Sequence, residues 1–123
     1  MRIAIIGGDL RQVRLAEFFV RDGHRVTVFG FENVKFEEDV CCATSLKQAV
    51  DDNDIVVGPL PCTLDNETLN APYFSKKIPL NELFRLMNKN QLFIGGRICD
   101  KIKHMGEIFG VYVEDYFGRE ELM

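Results

Sequence analysis

The sequence contains no tryptophan, only two histidines and only four cysteines among its 123 residues. No apolar run approaches the roughly 20 residues that a membrane-spanning helix needs, so we expect no membrane association. Asp9, Arg11 and Arg14 interrupt the N-terminal apolar stretch, so we expect no secretory signal peptide. These absences predict a cytoplasmic protein.

Positive charge is also scarce. Lysine and arginine number 15 against 19 acidic residues, and the net charge is -4 with the two signs interleaved. Nucleic-acid binding requires a clustered basic surface, so we expect no nucleic-acid partner. The 46% hydrophobic and 28% charged content is that of an ordinary globular domain, and the length predicts one domain, residues 1–123, with a single core.

The cysteines and histidines lack the spacing of a metal site or of a disulfide framework, and we expect neither. The cysteines, none of them in a C-x-x-C motif, are Cys41, Cys42, Cys62 and Cys99. We expect all four to be small buried apolar side chains, although Cys62 falls in a loop and could have another role.

Apolar periodicity predicts alternating strands and helices. Strands are expected at Arg2–Ile6, Arg25–Phe29, Val40–Ala43, Ile55–Val57, Gln91–Ile94 and Val111–Val113. The first helix carries its apolar stripe on Leu10, Val13, Ala16 and Val20 and ends near Asp22-Gly23. Pro79 is expected to start a later helix with the stripe Leu80, Leu83 and Met87. This alternation predicts a doubly wound, mostly parallel α/β sheet in a three-layer sandwich, Rossmann-like or flavodoxin-like.

Ligands of such sheets bind beyond the carboxyl ends of the strands. The segments expected there are Gly7–Gln12, the segment that opens with Gly58-Pro59, and Gly95-Gly96-Arg97. Residues 58–78 lack clear periodicity and hold three of the four prolines. A loop of that length in a compact domain is usually functional.

The first of these segments does not match a dinucleotide loop. The fingerprint G-x-G-x-x-G would follow the first strand, but the sequence reads G-G-D-L-R-Q there, without a third glycine. The acidic residue that would bind ribose, Glu32, comes late after the second strand. No P-loop is present, and Val57-Gly58 at the end of the Ile55–Val57 strand offers no aspartate for phosphorylation.

A small carboxylate or amine substrate is the favoured alternative. Arg11 and Gln12 fall in the first helical turn, where free amides and the helix dipole attract anions. The guanidinium of Arg11 suits a carboxylate. Asp9 could pair with Arg11, cap the helix or bind a cation. In the simpler interpretation Asp9 is only an N-cap and Arg11 a solvated helix residue.

Four motifs together resemble the N-terminal domain of the dipicolinate synthase A subunit. They are I-I-G-G-D-L-R-Q at 5–12, G-P-L-P at 58–61, L-N-A-P-Y-F-S at 69–75 and D-Y-F-G-R-E-E-L at 115–122. The resemblance implies an enzyme that oxidises a dihydrodipicolinate-type intermediate of the lysine pathway to dipicolinic acid, in the mother cell of a sporulating bacterium. It implies a longer polypeptide whose C-terminal domain binds NADP and whose partner is the dipicolinate synthase B subunit.

The resemblance makes this chain the substrate-side domain, inactive by itself, with Arg119 to Leu122 leading into an interdomain helix. A diacid substrate requires cationic side chains and hydrogen-bond donors that bind its carboxylates. The predicted substrate-binding residues are Gly7, Gly8, Asp9, Arg11, Gln12, Pro61, Thr63, Gly95, Gly96 and Arg97. No cofactor-binding residue and no catalytic acid or base is assigned. Exposed apolar residues such as Leu15 and Phe18 are compatible with a homo-oligomer.

Two other interpretations stay open from the sequence. The chain could be a free-standing Rossmann-like module that binds a small ligand or regulates another protein, or a nucleotide-binding domain with a degenerate loop. A stop codon directly after Met123 and ligand binding by the chain itself would favour the first. Tight, saturable binding of NADP would favour the second.

Overall fold

A computed structural model describes residues 1–51 and 53–115 of the chain. Its strands are β1 (Arg2–Ile6), β2 (Arg25–Phe29), β3 (Cys41–Cys42), β4 (Ile55–Val57), β5 (Leu92–Gly95) and β6 (Tyr112–Asp115). Its helices are α1 (Leu10–Arg21), α2 (Leu46–Val50), α3 (Leu80–Leu86) and α4 (Asp100–Phe109). The predicted alternation is confirmed, with boundaries that shift by one or two residues.

All strands run parallel in the order β3-β2-β1-β4-β5-β6. This is the Rossmann order and differs from the flavodoxin order, a choice that the sequence leaves open. The order reverses between β1 and β4, which pair from Ile3↔Ile55 to Ile5↔Val57. The crevice that such a reversal creates therefore lies at the ends of β1 and β4.

Apolar side chains pack on both faces of the sheet. On one face lie Ile3, Ile5, Ala16, Val26, Val28 and Val57. On the other face, buried residues of α2, α3 and α4 pack against Ala4, Ile6, Val56 and Phe93. There the rings of Phe84 and Phe93 meet edge to face, with centroids 5.2 Å apart. Burial on both faces explains why the central strands read as continuous apolar runs.

The buried face of α1 differs from the predicted stripe. Val13 and Ala16 are buried as expected, but Leu10 is 57% exposed, which makes that part of the prediction wrong. Leu10 is the first residue of the helix and lies ahead of the turns that pack on the sheet. The buried face instead includes two polar residues, Gln12 and Glu17.

Glu17 holds a distant segment against α1. Its carboxylate accepts a hydrogen bond from the Glu37 amide at 2.7 Å and pairs with Arg14 at 3.2 Å. The Glu37 amide and then Arg14 lower the pKa of this buried carboxyl. Buried charges require such partners. The polar connection between β2 and β3 is thereby fixed to the helix.

The prediction that all cysteines are buried is wrong for Cys41 and Cys42, which are exposed, and Cys99 is half-buried. Cys41 and Cys42 form β3, which among the described strands pairs with β2 alone and so lies at the edge of the sheet. A strand at the edge of a sheet has a neighbour on one side only, so its side chains stay accessible. Cys62 is completely buried.

Two other predictions concern the ends of elements. Pro79 is the N-cap of α3, whose residues Leu80 and Leu83 are buried, as is Met87 after it. The helical turn expected at the C-terminal end, Arg119 to Leu122, lies outside the described residues. Across residues 1–51 and 53–115, no helix has the length and apolarity that a bilayer span requires.

Candidate functional site

The three segments predicted to meet at the carboxyl edge do meet there. The amide of Gly58, after β4, donates to the Ile94 carbonyl of β5 at 2.6 Å. The amide of Gly96, after β5, donates to the Pro59 carbonyl at 3.0 Å. On the other side, the Gln12 amide group of α1 donates to the Gly58 carbonyl at 3.0 Å. The loop after β4 thus lies between α1 and the end of β5.

Every carbonyl of the loop 58–62 accepts a hydrogen bond. Gln12 Nε2 donates to the carbonyl of residue 58, the Gly96 amide to that of residue 59, and Arg11 Nη2 to that of residue 60. Asn70 donates through Nδ2 to the carbonyl of residue 61 and through its backbone amide to that of residue 62. The Leu60–Pro61 peptide is cis. Buried backbone carbonyls need such partners, and these hydrogen bonds tie the loop to α1, to the segment after β5 and to Asn70. We therefore treat loop 58–62 as one wall of the site.

Gly96 lies against this wall. A Cβ added there would overlap the side chain of Leu60 and come within 3.0 Å of its Cα. Gly95 is close to Cys62 Sγ, at 3.3 Å from an added Cβ. Both predicted site glycines are therefore needed for the close approach of β5 to loop 58–62.

Residues 69–75, which we call the strap, cover the turn that follows β1. The amide of Gly8 donates to the Asn70 carbonyl at 2.9 Å. A Cβ added to Gly7 would lie 3.0 Å from the same carbonyl and 3.4 Å from Ala71 Cβ. In a dinucleotide site, amides of this turn face the pyrophosphate. Here one of them already has a partner from within the chain.

The strap also engages Glu32 beyond β2. The Glu32 carboxylate accepts from the Ser75 amide at 2.6 Å and from Ser75 Oγ at 3.1 Å, and the Glu32 amide donates to Tyr73 O at 2.8 Å. Phe74 packs on Phe29, with ring centroids 5.2 Å apart. Glu32 is the acidic residue after β2 that the sequence offers for a ribose. The groups that would hold a dinucleotide are thus bonded to the strap, and the turn in this conformation does not fit one.

Asp9 caps α1 and pairs with Arg11. Its Oδ1 accepts from the Arg11 amide at 2.9 Å and from Arg11 Nε at 3.2 Å, while Oδ2 accepts from Nη2 at 3.0 Å. The hydrogen bond from the Arg11 side chain lowers the pKa of the Asp9 carboxyl and raises the pKa of the guanidinium. Of the alternatives for Asp9, the structure shows the cap and the pair together.

Gln12 is 6% exposed, and its amide group is bonded to Gly58 inside the protein. Arg11 is exposed but holds Leu60 O at 2.8 Å. The donors that the sequence places at the helix N-terminus are therefore used largely within the fold. Both residues shape the wall of the site through loop 58–62.

Thr63 belongs to a network around Asp65. The Asp65 carboxylate accepts from the amides of Glu67 and Thr68, at 2.9 and 2.8 Å, and from the hydroxyl of Thr68. These hydrogen bonds, the Thr68 amide first, hold the pKa of Asp65 well below its ordinary value. The Thr63 hydroxyl accepts from the Asn66 amide and donates to Thr68 O. Its single hydrogen is therefore used within the loop.

Arg97 follows Gly96 at the end of β5. Its side chain is exposed, and its backbone is left-handed, with φ at 56°. No hydrogen bond or ion pair joins its guanidinium to any described residue. Its positive charge therefore has no direct partner among residues 1–51 and 53–115, while the Asp115 carboxylate accepts from the amide of the next residue, Ile98.

Cys62 packs between the loop and β5. Burial raises the pKa of its thiol to about 12, with smaller contributions from Cys99 and Asp115. Such a thiol stays protonated near neutral pH and is a poor nucleophile. In the part of the chain that the structure describes, no three histidine, cysteine or acidic side chains lie close enough to hold a metal ion.

Sequence reasoning missed Asn70, Asp65 and Ser75. The motif L-N-A-P-Y-F-S was the only signal for Asn70 and Ser75, since their partners lie far away in the sequence. A groove of about 450 Å³ runs beside the strap and is lined by Asn70, Lys76 and Lys77, among others. The groove therefore adds two cationic side chains, Lys76 and Lys77, that were not among the site residues predicted from the sequence.

A family profile that describes the N-terminal domain of the dipicolinate synthase A subunit matches residues 2–117. No curated protein sequence matches the chain. Among solved structures, the chain is similar to the dipicolinate synthase A subunit from Bacillus halodurans, with TM-score 0.82, 16% identity and 98% of this chain covered. A dipicolinate synthase structure from Bacillus subtilis gives TM-score 0.79, 14% identity and 97% coverage.

An NAD complex of a D-isomer specific 2-hydroxyacid dehydrogenase from Lactobacillus delbrueckii ssp. bulgaricus is also similar, with TM-score 0.61 and 15% identity over 97% of this chain and 36% of that one. This chain spans 42% and 41% of the Bacillus halodurans and Bacillus subtilis proteins. At these identities the structures show a shared Rossmann fold.

Proposed function

Because the chain belongs to the family of N-terminal domains of the dipicolinate synthase A subunit, we propose that it forms the substrate side of an oxidoreductase. The reaction is the NADP-dependent oxidation of a dihydrodipicolinate-type diacid to dipicolinic acid. In this proposal NADP is held outside this chain, by a second domain, and supplies the hydride acceptor. We also propose that the partner is the dipicolinate synthase B subunit. The proposed location is the cytoplasm of the mother cell of a sporulating bacterium.

The strap is the observation that carries the proposal. The Asn70 carbonyl accepts from the Gly8 amide, and the Ser75 amide donates to the Glu32 carboxylate. The two groups that would bind a dinucleotide are therefore already bonded. Displacing the strap would break these hydrogen bonds and separate Phe74 from Phe29. A domain that keeps the Rossmann sheet but fills its nucleotide position with its own chain is suited to another ligand.

The chemistry asks for positioning from this side of the cleft. Aromatisation of a dihydropyridine ring removes a hydride from one ring carbon and a proton from a neighbouring atom, and the two carboxylates remain unchanged. A wall with cationic side chains can hold these carboxylates and fix the ring, which is the contribution that orientation makes to catalysis. Loop 58–62 and the exposed guanidinium groups of Arg11 and Arg97 offer such a wall.

The experiment titrates the chain with dipicolinate and, separately, with NADP⁺, while amide chemical shifts are recorded by NMR. We expect dipicolinate to shift the amides of residues 8–12, of Gly58, Leu60 and Cys62, and of residues 96–98, and NADP⁺ to leave them unchanged. Saturable NADP⁺ binding at residues 7–9 and 32 would contradict the proposal. So would a complete lack of response to dipicolinate at millimolar concentration.

A second experiment addresses the reaction. The protein encoded by this reading frame together with any codons that follow Met123 is assayed with the B subunit, NADP⁺ and dihydrodipicolinate. We expect NADPH formation that depends on the diacid. If no NADPH forms although the B subunit is supplied, the proposed activity is wrong.

A further inference from the structure

Two guanidinium groups lie at the carboxyl edge, and their surroundings differ. Arg11 contacts the Asp9 carboxylate through Nε at 3.2 Å and Nη2 at 3.0 Å, and its Nη2 also donates to Leu60 O at 2.8 Å. A substrate carboxylate at Arg11 would have to compete with Asp9 and would be repelled by its charge. The net charge of the Asp9–Arg11 pair is zero.

Arg97 has no such partner among residues 1–51 and 53–115. Its place is nevertheless well defined, because both neighbours are held. The Gly96 carbonyl accepts from the Cys62 amide at 2.7 Å, and the Ile98 amide donates to Asp115 Oδ2 at 2.7 Å. These contacts fix the backbone on each side of Arg97. They also place the Asp115 carboxylate at the next residue, without an ion pair to the Arg97 guanidinium, whereas Asp9 binds Arg11 directly.

The backbone of Arg97 is also unfavourable for an arginine. Its φ of 56° lies in the left-handed region, where a Cβ clashes with the carbonyl and where glycine or asparagine is preferred. A glycine at this position would remove the strain. Strained residues persist where the surrounding contacts hold them, and they cluster at sites that bind ligands. The left-handed backbone of Arg97 is therefore a second feature that favours a role for its side chain.

We propose that Arg97 is the residue that recognises the second carboxylate of the substrate, and so selects a dicarboxylate over a monocarboxylate. Arg11, whose charge is balanced by Asp9 and whose Nη2 also holds Leu60 O, is the weaker of the two carboxylate contacts. This inference rests on the proposed function, since it assigns a specificity residue within that same site. A planar guanidinium offers two parallel N–H donors, a geometry that matches a carboxylate.

The test compares dipicolinate with picolinate, which lacks one carboxylate, on the chain and on Arg97→Gln. Dissociation constants come from NMR titration. We expect the parent chain to prefer dipicolinate by about tenfold or more, as a charge-assisted contact allows, and Arg97→Gln to bind the two compounds equally. Arg25→Gln is the matched control, because Arg25 is exposed at the opposite end of the sheet and its replacement removes the same unit of charge. It should keep the parent preference.

Stability separates a binding role from a structural one. Arg97→Gly should have an unchanged or slightly higher melting temperature, since glycine accepts the left-handed backbone, and yet lose the preference for dipicolinate. Arg11→Gln should instead lower the hydrogen-exchange protection of the Gly58 and Cys62 amides, which donate to Ile94 O and Gly96 O.

Two results would overturn the inference while leaving the proposed function intact. In the first, dipicolinate binds but Arg97→Gln retains the parent preference. In the second, Lys77→Gln, in the groove beside the strap, removes the preference and Arg97→Gln does not. Failure of the parent chain to bind dipicolinate would instead overturn the proposed function together with this inference.

Discussion

Gly58 opens the wall of the site, and replacing it with alanine tests how closely that wall is packed. The backbone of Gly58 has no positive φ, so alanine is conformationally acceptable there. Its Cβ, however, would lie 2.7 Å from Cζ and 3.1 Å from Cε1 of Phe93. Phe93 is fully buried and packs edge to face on Phe84. The ring cannot move away without disturbing a second ring.

Overpacking of this kind costs about 2 kcal/mol, and the lower chain entropy of unfolded alanine offsets about 0.5 kcal/mol. We therefore expect Gly58→Ala to lower the free energy of unfolding by about 1.5 kcal/mol. Phe93→Leu alone loses the aromatic pair and leaves a small cavity, together about 2 kcal/mol.

The double variant is the decisive measurement. Leucine lacks the ring atoms that the alanine methyl would meet, so the methyl can fill part of the space that the ring vacates. We expect the double variant to lose about 2 kcal/mol where additivity gives about 3.5, a coupling within the range for contacting residues. Urea unfolding followed by circular dichroism measures each free energy.

Additive losses in the double variant would refute the packing argument. Ile3→Val serves as the control partner, because Ile3 packs on the opposite face of the sheet. Combined with Gly58→Ala it should be additive to within about 0.5 kcal/mol. A coupling of equal size for both partners would point to a general effect of Gly58→Ala on the fold.

Three other predictions follow from single side chains. With Ellman's reagent at pH 8, Cys41 should react at once, whereas Cys62, buried with a pKa of about 12, should react only on unfolding; equal rates in the native chain would contradict its burial. Folding lowers the pKa of Asp65. Its carboxylate therefore contributes stability that is fully present above the unfolded pKa of 3.8 and is lost as the pH falls through the folded pKa. The melting temperature of Asp65→Asn should lie below the parent's at pH 7 and approach it below pH 4, and a constant gap would refute this. Gly106→Ala should destabilise by calorimetry, although alanine normally favours a helix by about 1 kcal/mol, because its Cβ would lie 2.5 Å from Val113 Cγ2; a higher melting temperature would show that α4 shifts freely.

The sheet could be predicted because its strands are local patterns. β1, β2 and β4 are apolar, β-branched runs, and each is recognisable without knowledge of its neighbours. Predictions fail where burial depends on position in the assembled fold. Cys41 and Cys42 have an apolar character, but β3 lies at the edge of the sheet and leaves them exposed.

At the site, local chemistry is likewise readable and long-range pairing is not. The sequence predicts Asp9 as an N-cap, and it is one, because the cap bond spans only two residues. The use of Gln12 as an anchor for Gly58 spans 46 residues and leaves no trace in the local pattern. That Gln12 and Arg11 donate to a ligand stays a prediction, and the fold engages both with the loop after β4.

Periodicity and the mismatched glycine motif were enough to establish a parallel α/β domain whose first turn is unlike a dinucleotide loop. They are properties of neighbouring residues, which the chain carries before it folds. What fills the nucleotide position was decided by contacts between segments about 40 to 60 residues apart. Asn70 reaches Gly8, and Ser75 reaches Glu32, only because the strap crosses the ends of β1 and β2. Such contacts depend on strand order, which no local pattern encodes.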